Sequence, residues 1–458
     1  MKTLFRGGSV VAFQEGRHRL VAPGDVLVDG DRIAYVGPRY EANTDRTIDA
    51  RGRLVMPGLL NLHIHSLSAP VASRGILEDE GDATLYKYLL PLRYGTPDFP
   101  TPFVGEAARQ LSAMSYLALL KSGTTTVLDM TDNLTDAIAL GRDTGIRLYG
   151  AGSYYNAMPF ERDGKVVHPA PTTECPKFDE NVALIREFNG SENDRIRVWL
   201  GPHAPDTCSV EVFRRTRVMA KELGVGINTH LAQSRSEVAE VKDRTGCTPT
   251  QLFADVGLLG PDLIVAHCHF CSEGDFKLLQ DAGVTVAHCA WAYARRGGTG
   301  YLAELRRRGI NTVLGSDQDP MDLISLMRLA VQASKIRLSD PFATTALEAF
   351  NAVTLNAARA LGREDLGRLA PGAKADLVLV DFRRPHLSPA YDLLKVLVYH
   401  AHGGDVETVM VDGRIIVEAG RVVTVDEAAW VAQADETAHR LWREVDTRYP
   451  LPRRLLAE

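Results

Sequence analysis

The run Pro57-Gly58-Leu59-Leu60-Asn61-Leu62-His63-Ile64-His65-Ser66 closes on two histidines one residue apart. In a β-strand, side chains at i and i+2 share a face, so His63 and His65 aim at one point. Paired imidazoles are ligands for Zn²⁺ and its neighbours, although two solvated histidines on a strand edge would look the same. Three more residues give the pair a context: His230, His267 and Asp317 each sit at the end of an apolar run of similar make-up. His203 and His288 end two further runs.

Side chains so far apart in sequence need a scaffold that gathers them. From residue 58, short apolar runs alternate with longer amphipathic stretches. The runs are Leu59–His65, Thr124–Met130, Arg147–Tyr155, Arg197–His203, Val225–Leu231, Leu263–His269, Val284–Cys289 and Asn311–Gly315. Between them lie helix-period segments such as Gly105–Leu120, Val210–Leu223 and Ser234–Thr245. Strands each followed by a helix predict an α/β fold, a parallel (β/α)₈ TIM-like barrel over residues 58–365. Chemistry in such barrels collects at the carboxyl ends of the strands, where these histidines and Asp317 fall.

Residues 1–57 read as short strands cut by Gly/Asp/Pro turns, and strand texture returns over 366–425, with Asp412-Gly413 as a hairpin turn. The simplest arrangement is one small β-sandwich domain built from both chain ends. Residues 426–458 follow, with Asp426–Arg448 as an amphipathic C-terminal helix. The connection 66–100 is long for its place and carries an acidic patch, Glu78, Asp79, Glu80 and Asp82, together with Tyr86, Tyr88 and Tyr94. Connections of this length often serve as lids or interfaces.

The totals narrow the function classes. A net charge of −6 with mixed signs argues against a nucleic-acid footprint or a polybasic membrane patch. No apolar stretch reaches the roughly 18 residues of a membrane span. Six cysteines in 458 residues make no disulfide framework. Cys268 and Cys271 form a C-x-x-C pair without a second pair, and read as buried thiols. The expectation is a cytoplasmic protein acting on a small molecule, with no nucleic-acid or membrane partner.

The pieces together resemble the amidohydrolase superfamily. They are Met56-Pro57-Gly58 through His65, Gly201-Pro202-His203-Ala204-Pro205, Asn228-Thr229-His230-Leu231-Ala232, Val265-Ala266-His267-Cys268, Val286-Ala287-His288-Cys289 and Leu314-Gly315-Ser316-Asp317. The tail adds Leu366–Val378 and the Val411–Arg414 hairpin. The nearest branch is that of the triazine hydrolases and the methylthioadenosine/S-adenosylhomocysteine deaminases. That resemblance implies a metal held by His63, His65, His230 and Asp317, with His267 beside it or completing the set. It implies one divalent ion per subunit, Zn²⁺ first, with Fe²⁺, Mn²⁺ and Co²⁺ as alternatives. Strand four ends in His203 rather than in a lysine that could bridge a second ion. Asp317 would act as base and then acid, His267 would aim the attacking water, and His203 and His288 would line the substrate pocket. Barrels of this kind often associate, so a homo-oligomer is an open expectation.

Two departures bear on the substrate. Three residues after His230 the resemblance calls for a glutamate that protonates a ring nitrogen; this chain has Gln233, which has no comparable proton to give. Glu237, one helical turn on, is a distant substitute. After His288 the relatives carry small polar groups, whereas this chain reads Cys289-Ala290-Trp291-Ala292-Tyr293-Ala294-Arg295-Arg296. Trp291 and Tyr293 are candidates for an aromatic wall, with Tyr154, Tyr155 and Asn156 reaching in from strand three. Both departures favour a substrate already carrying a carbonyl: a small urea, carbamate, thiocarbamate or amide cleaved at C–N or C–S. The alternative is deamination or dechlorination of an aminated N-heterocycle. Every ligand type the chemistry needs is present, which argues against a non-catalytic scaffold.

Overall fold

The computed structural model describes residues 1–68, 70 and 85–449. Eight parallel strands form the barrel: Leu59–Ile64, Thr124–Thr131, Arg147–Tyr154, Ile196–Pro202, Ile227–Leu231, Leu263–His267, Thr285–His288 and Thr312–Leu314. Each overlaps one of the apolar runs read from the sequence. They pair in chain order, and their side chains are buried on both faces, as expected of strands wrapped by helices. The first and eighth strands meet through Asp317. Its N–H donates to the His63 carbonyl (2.9 Å), and its carbonyl accepts from His65 N–H (2.8 Å).

The chain ends share a single hydrogen-bonded sheet of nine strands. Lys2–Gln14 pairs with Arg17–Asp29 along its length, with Arg46–Asp49 near its start and with Arg53–Pro57 further on. Arg53–Pro57 then pairs antiparallel with Leu377–Asp381, joining the two halves. Phe5, Val10, Val26, Val55, Leu377, Leu379 and Met410 form the core beneath it. The Asp412-Gly413 turn has both residues at positive φ (52° and 76°), the geometry a tight hairpin needs. A side chain at Gly413 would also run into the Gly30 carbonyl, so two hairpin tips meet there.

Two devices tie these parts together. Arg147, fully buried at the start of barrel strand three, donates to both oxygens of Asp376 (2.9 and 3.0 Å) and to Asp412 (3.1 Å) on the sheet. The C-terminal helix Glu427–Arg448 packs Leu441 and Val445 against Leu85, Tyr88, Leu89 and Phe103. It thereby holds the helical turns from Leu85 to Tyr94 against the barrel. The acidic patch read from the sequence lies outside the described residues. Among the described residues no helix is long and apolar enough to cross a membrane.

Tyr86 anchors the inner end of those turns. Its hydroxyl donates to Asp206 (3.0 Å) and meets the Ser234 hydroxyl at 2.7 Å. The other Asp206 oxygen is buried without a partner. Burial lifts the Asp206 carboxyl from 3.8 to about 7, with Glu240 adding to the lift. Burial and the nearby Asp206 likewise push Glu237 well above the usual glutamate range.

Two predictions follow from these contacts. Arg147→Met leaves buried carboxylates without their cation and should cost about 3–5 kcal/mol of unfolding free energy, read from urea titration. Asp206 holds its proton to about pH 7 in the fold but only to 3.8 in the unfolded chain. Its stabilising contribution is therefore complete below pH 3.8 and is lost as the pH rises toward 7. Asp206→Asn should gain about 1–3 kcal/mol more, relative to the unchanged protein, at pH 8 than at pH 5. An equal effect at both pH values would show the carboxyl to be ionised throughout.

Candidate active site

His63 and His65 leave strand one, His230 strand five and His267 strand six, all at the same rim as Asp317. Their orientation is set by what each ring's Nδ1 meets. His65 Nδ1 lies 2.7 Å from the Met130 carbonyl, and His230 Nδ1 lies 2.5 Å from the His203 carbonyl. A carbonyl only accepts, so these Nδ1 atoms carry the ring proton and each Nε2 keeps a lone pair. His63 Nδ1 faces the Asn228 side-chain oxygen at 3.2 Å. Asn228 is itself oriented by donating to the Ile264 carbonyl (3.1 Å).

The freed Nε2 atoms converge. His65 Nε2 lies 3.0 Å from His230 Nε2 and 3.5 Å from Asp317 Oδ1, and His63 Nε2 lies 4.0 Å from that oxygen. His63 Nε2 is buried with no hydrogen-bond partner. Two unprotonated nitrogens in van der Waals contact repel each other unless a positive centre lies between them. The donor set, imidazoles with one carboxylate and polar groups behind them, fits a divalent transition ion. The nearest ligand atoms of His63, His230 and His267, and of His63, His65 and Asp317, each fall within 4.8 Å of one another. The His267 ring stacks on His230 at 5.3 Å.

Burial keeps these rings neutral. It lowers His63 from 6.5 to about 4 and His230 to about 3, and it pushes His65, His203 and His267 well below the usual range. Burial raises Asp317 above 3.8, opposed by His230 and then Arg295 and Arg296. His267 (φ 79°) and Asp317 (φ 60°) both adopt the left-handed backbone region. Such conformations cost about 1–3 kcal/mol each and cluster at functional sites. A further His/Asp group beside the terminal sheet differs in kind: Asp405 there already accepts from His386 Nε2 (3.0 Å) and from the His402 backbone (3.0 Å).

A cavity of about 440 Å³, its open mouth included, stands above the cluster. His65, His230, His267 and Asp317 line it, as do Leu85, Leu89 and Leu90 on an apolar wall. His203 also faces it, its ring 4.7 Å from His230 and its Nδ1 3.1 Å from the Thr207 hydroxyl. Gln233 lines it too, its carbonyl accepting from the Tyr293 hydroxyl (2.9 Å). Glu237 does not replace the missing acid. Its two oxygens accept from the N–H groups of Ala232 (2.7 Å) and Gln233 (2.9 Å), and it is absent from the cavity wall.

Several residues read from the sequence as substrate contacts lie elsewhere. Trp291 and Tyr293 share the helix Ala290–Ala294, where residues two apart face different ways. Tyr293 enters the cavity and stacks on His269 at 3.8 Å, while Trp291 is 38% exposed and outside it. Tyr154 points away from the rim, with its hydroxyl 2.8 Å from that of Thr216 and its ring against Phe178. Alternation along strand three gives the inward place to Tyr155, which packs on Tyr94 and His203. Asn156 spends its amide on Thr172 and Ser209, tying two loops together. His288 is buried beside Gly300 and Ala333, apart from the cavity. The wall also holds residues the sequence reading missed as contacts: Arg93, Tyr94, Arg296 and Gln318. The length of the connection before residue 100 was the one signal pointing to the first two.

Comparison with known proteins agrees with this geometry. Residues 54–416 match the amidohydrolase family. A 5'-deoxyadenosine deaminase of Methanosarcina mazei is 31% identical over 436 residues, covering 93% of this chain and 95% of its own. A 5-methylthioadenosine/S-adenosylhomocysteine deaminase of Pelotomaculum thermopropionicum is 32% identical over 456 residues, covering 96% of this chain and 99% of its own. The crystal structure of atrazine chlorohydrolase TrzN from Arthrobacter aurescens TC1 complexed with zinc superposes with a TM-score of 0.85 at 25% identity, over 95% of this chain and 100% of that one. An adenosine deaminase from Xanthomonas campestris with bound zinc shares the fold, with a TM-score of 0.85 at 24% identity over 96% of this chain and 98% of that one. The barrel, the terminal sheet, the rim of imidazoles and these matches place the chain in the amidohydrolase family, as an enzyme acting on carbon–nitrogen bonds other than peptide bonds.

Proposed function

We propose that the enzyme is a hydrolytic deaminase of a small aminated N-heterocycle, working with one divalent ion, Zn²⁺ by first choice. His63, His65, His230 and Asp317 would hold the ion, with His267 beside it. One observation carries the reading: three neutral imidazoles, two with Nδ1 bound to a backbone carbonyl and one facing an amide oxygen, converge through Nε2, those of His65 and His230 lying 3.0 Å apart and those of His65 and His63 lying 3.5 and 4.0 Å from the Asp317 carboxylate. A divalent ion bound there supplies Lewis acidity, which lowers the pKa of a water ligand from 15.7 to about 7.

The chain's own residues account for the rest. Asp317 takes a proton from the attacking water and delivers it to the departing nitrogen, so that a C–NH₂ and water become a C=O and ammonia. His267 orients the water from the facing strand. Gln233 offers an amide N–H to a ring nitrogen and so assists without protonating it. This suits an electron-poor ring, in which a hydrogen bond is enough. The leucine wall takes the ring face.

The carbonyl substrate favoured on Gln233 and the strand-seven loop gives way to the heterocycle. Relatives aligned over more than nine-tenths of the chain are named as deaminases of adenosine derivatives, which supports an aminated ring. Hydrolysis of a urea, thiocarbamate or amide stays as the second reading because of one feature: Asp317 is the only carboxyl group among the described cavity residues.

The test is a panel of aminated heterocycles, ureas and carbamates, with ammonia and amine release measured separately. Ammonia released in step with an oxo product from a heterocycle is expected; amine released from ureas, with no ammonia from any ring, would contradict it. Asp317→Asn should lower kcat by about 10²–10⁴-fold. Gln233→Glu, which restores an acid beside the ring, should raise turnover of adenosine-type rings by about 10-fold or more.

A further inference from the structure

The loop after barrel strand seven brings two guanidinium groups to the site, near Asp317. Arg295 donates to the Gln318 side-chain oxygen (3.1 Å), a neutral partner. Arg296 lines the cavity with His267 and Asp317, and its Nε is buried without a hydrogen-bond partner. Neither arginine forms an ion pair among the described residues. The other arginine of the cavity wall is served. Arg93, on the same cavity wall, donates to Asp132 (3.3 Å), to the Ser68 hydroxyl (3.0 Å) and to the Met130 carbonyl (3.1 Å).

A donor left unmet in a half-buried place costs free energy that a bound partner recovers. Asp317 is the one carboxylate in the described wall, and in the proposed reaction it is committed to the ion and to proton transfer. Arg296 therefore brings a positive charge and an unpartnered Nε–H to the cavity wall. A guanidinium matches a carboxylate or a similar planar anion in a way that an ammonium does not.

We propose that Arg296 is the anion-recognition residue of this cavity. The substrate is then an aminated heterocycle bearing a negative charge, a carboxylate or an ionised ring oxygen, on the side facing the strand-seven loop. The substrate class rests on the deaminase reading above; the anion site does not.

The experiment compares matched pairs of aminated heterocycles: a ring carboxylate against the methyl-substituted ring, and an ionisable oxo-substituted ring against its methoxy counterpart. Ammonia release gives kcat/KM for each. At least one anionic member should be preferred over its neutral partner by about 10- to 100-fold. Arg296→Gln should bring that ratio to within about 3-fold of one, acting mainly through KM, and Arg296→Lys should retain part of it. Binding is measured in parallel by calorimetry, with a heterocyclic carboxylate that lacks the amino group and cannot react. Arg296→Gln should weaken it about 10-fold or more. A native enzyme that prefers the neutral member of both pairs overturns the proposal, as does an Arg296→Gln enzyme that keeps both the ratio and the calorimetric affinity. If no ring releases ammonia but the unreactive carboxylate binds in an Arg296-dependent way, the deaminase reading falls and the anion site stands.

Discussion

A neutral imidazole has one nitrogen that donates and one that accepts, and in this protein the main chain claims the donor. The carbonyls of Met130 and His203 take the Nδ1 protons of His65 and His230. Burial then denies the rings a second proton. What remains is a set of lone pairs turned toward one point, 3.0 Å apart at the closest. Without a cation at that point the arrangement is repulsive, and with one it is a ligand set. The proposed acid–base role of Asp317 depends on this fixed direction of the rings.

The same residues close the barrel. Asp317 links strands eight and one through backbone bonds to His63 and His65, so the seam of the fold and the centre of the proposed chemistry coincide. Motion at the seam would move the ligands. The fold guards against this from below and from the side. Arg147 locks strand three to the terminal sheet through Asp376 and Asp412. The C-terminal helix clamps the turns that bring Arg93 and Tyr94 to the cavity. Backbone strain at His267 and Asp317 is tolerated because these surroundings over-determine it.

Much of this was legible in the chain itself. The barrel could be read because buried parallel strands are nearly continuous apolar runs, and the rim because histidines recur at their ends. The errors have local causes. Tyr154 and Tyr155 are neighbours, and which of them faces inward depends on the parity of strand three, which the apolar run does not reveal. Trp291 and Tyr293 look like one aromatic wall in sequence; on the helix Ala290–Ala294 they part company. Asn156 is a loop tie, and its polarity alone resembled that of a contact. Arg93 and Tyr94 follow a connection with no clear period, and the helix that holds their turns in place lies more than 300 residues away in sequence. Arg296 was visible as a departure, but its place on the cavity wall appears only in three dimensions.

The central claim is that the converging imidazoles and Asp317 hold one divalent ion. X-ray absorption at the metal edge of the purified enzyme, with the metal content measured on the same sample, tests it most directly. The expected result is about one ion per chain with nitrogen and oxygen neighbours near 2.0–2.2 Å and the outer-shell signature of imidazole. An ion ligated by sulfur near 2.3 Å, or an active enzyme without stoichiometric metal, would contradict it.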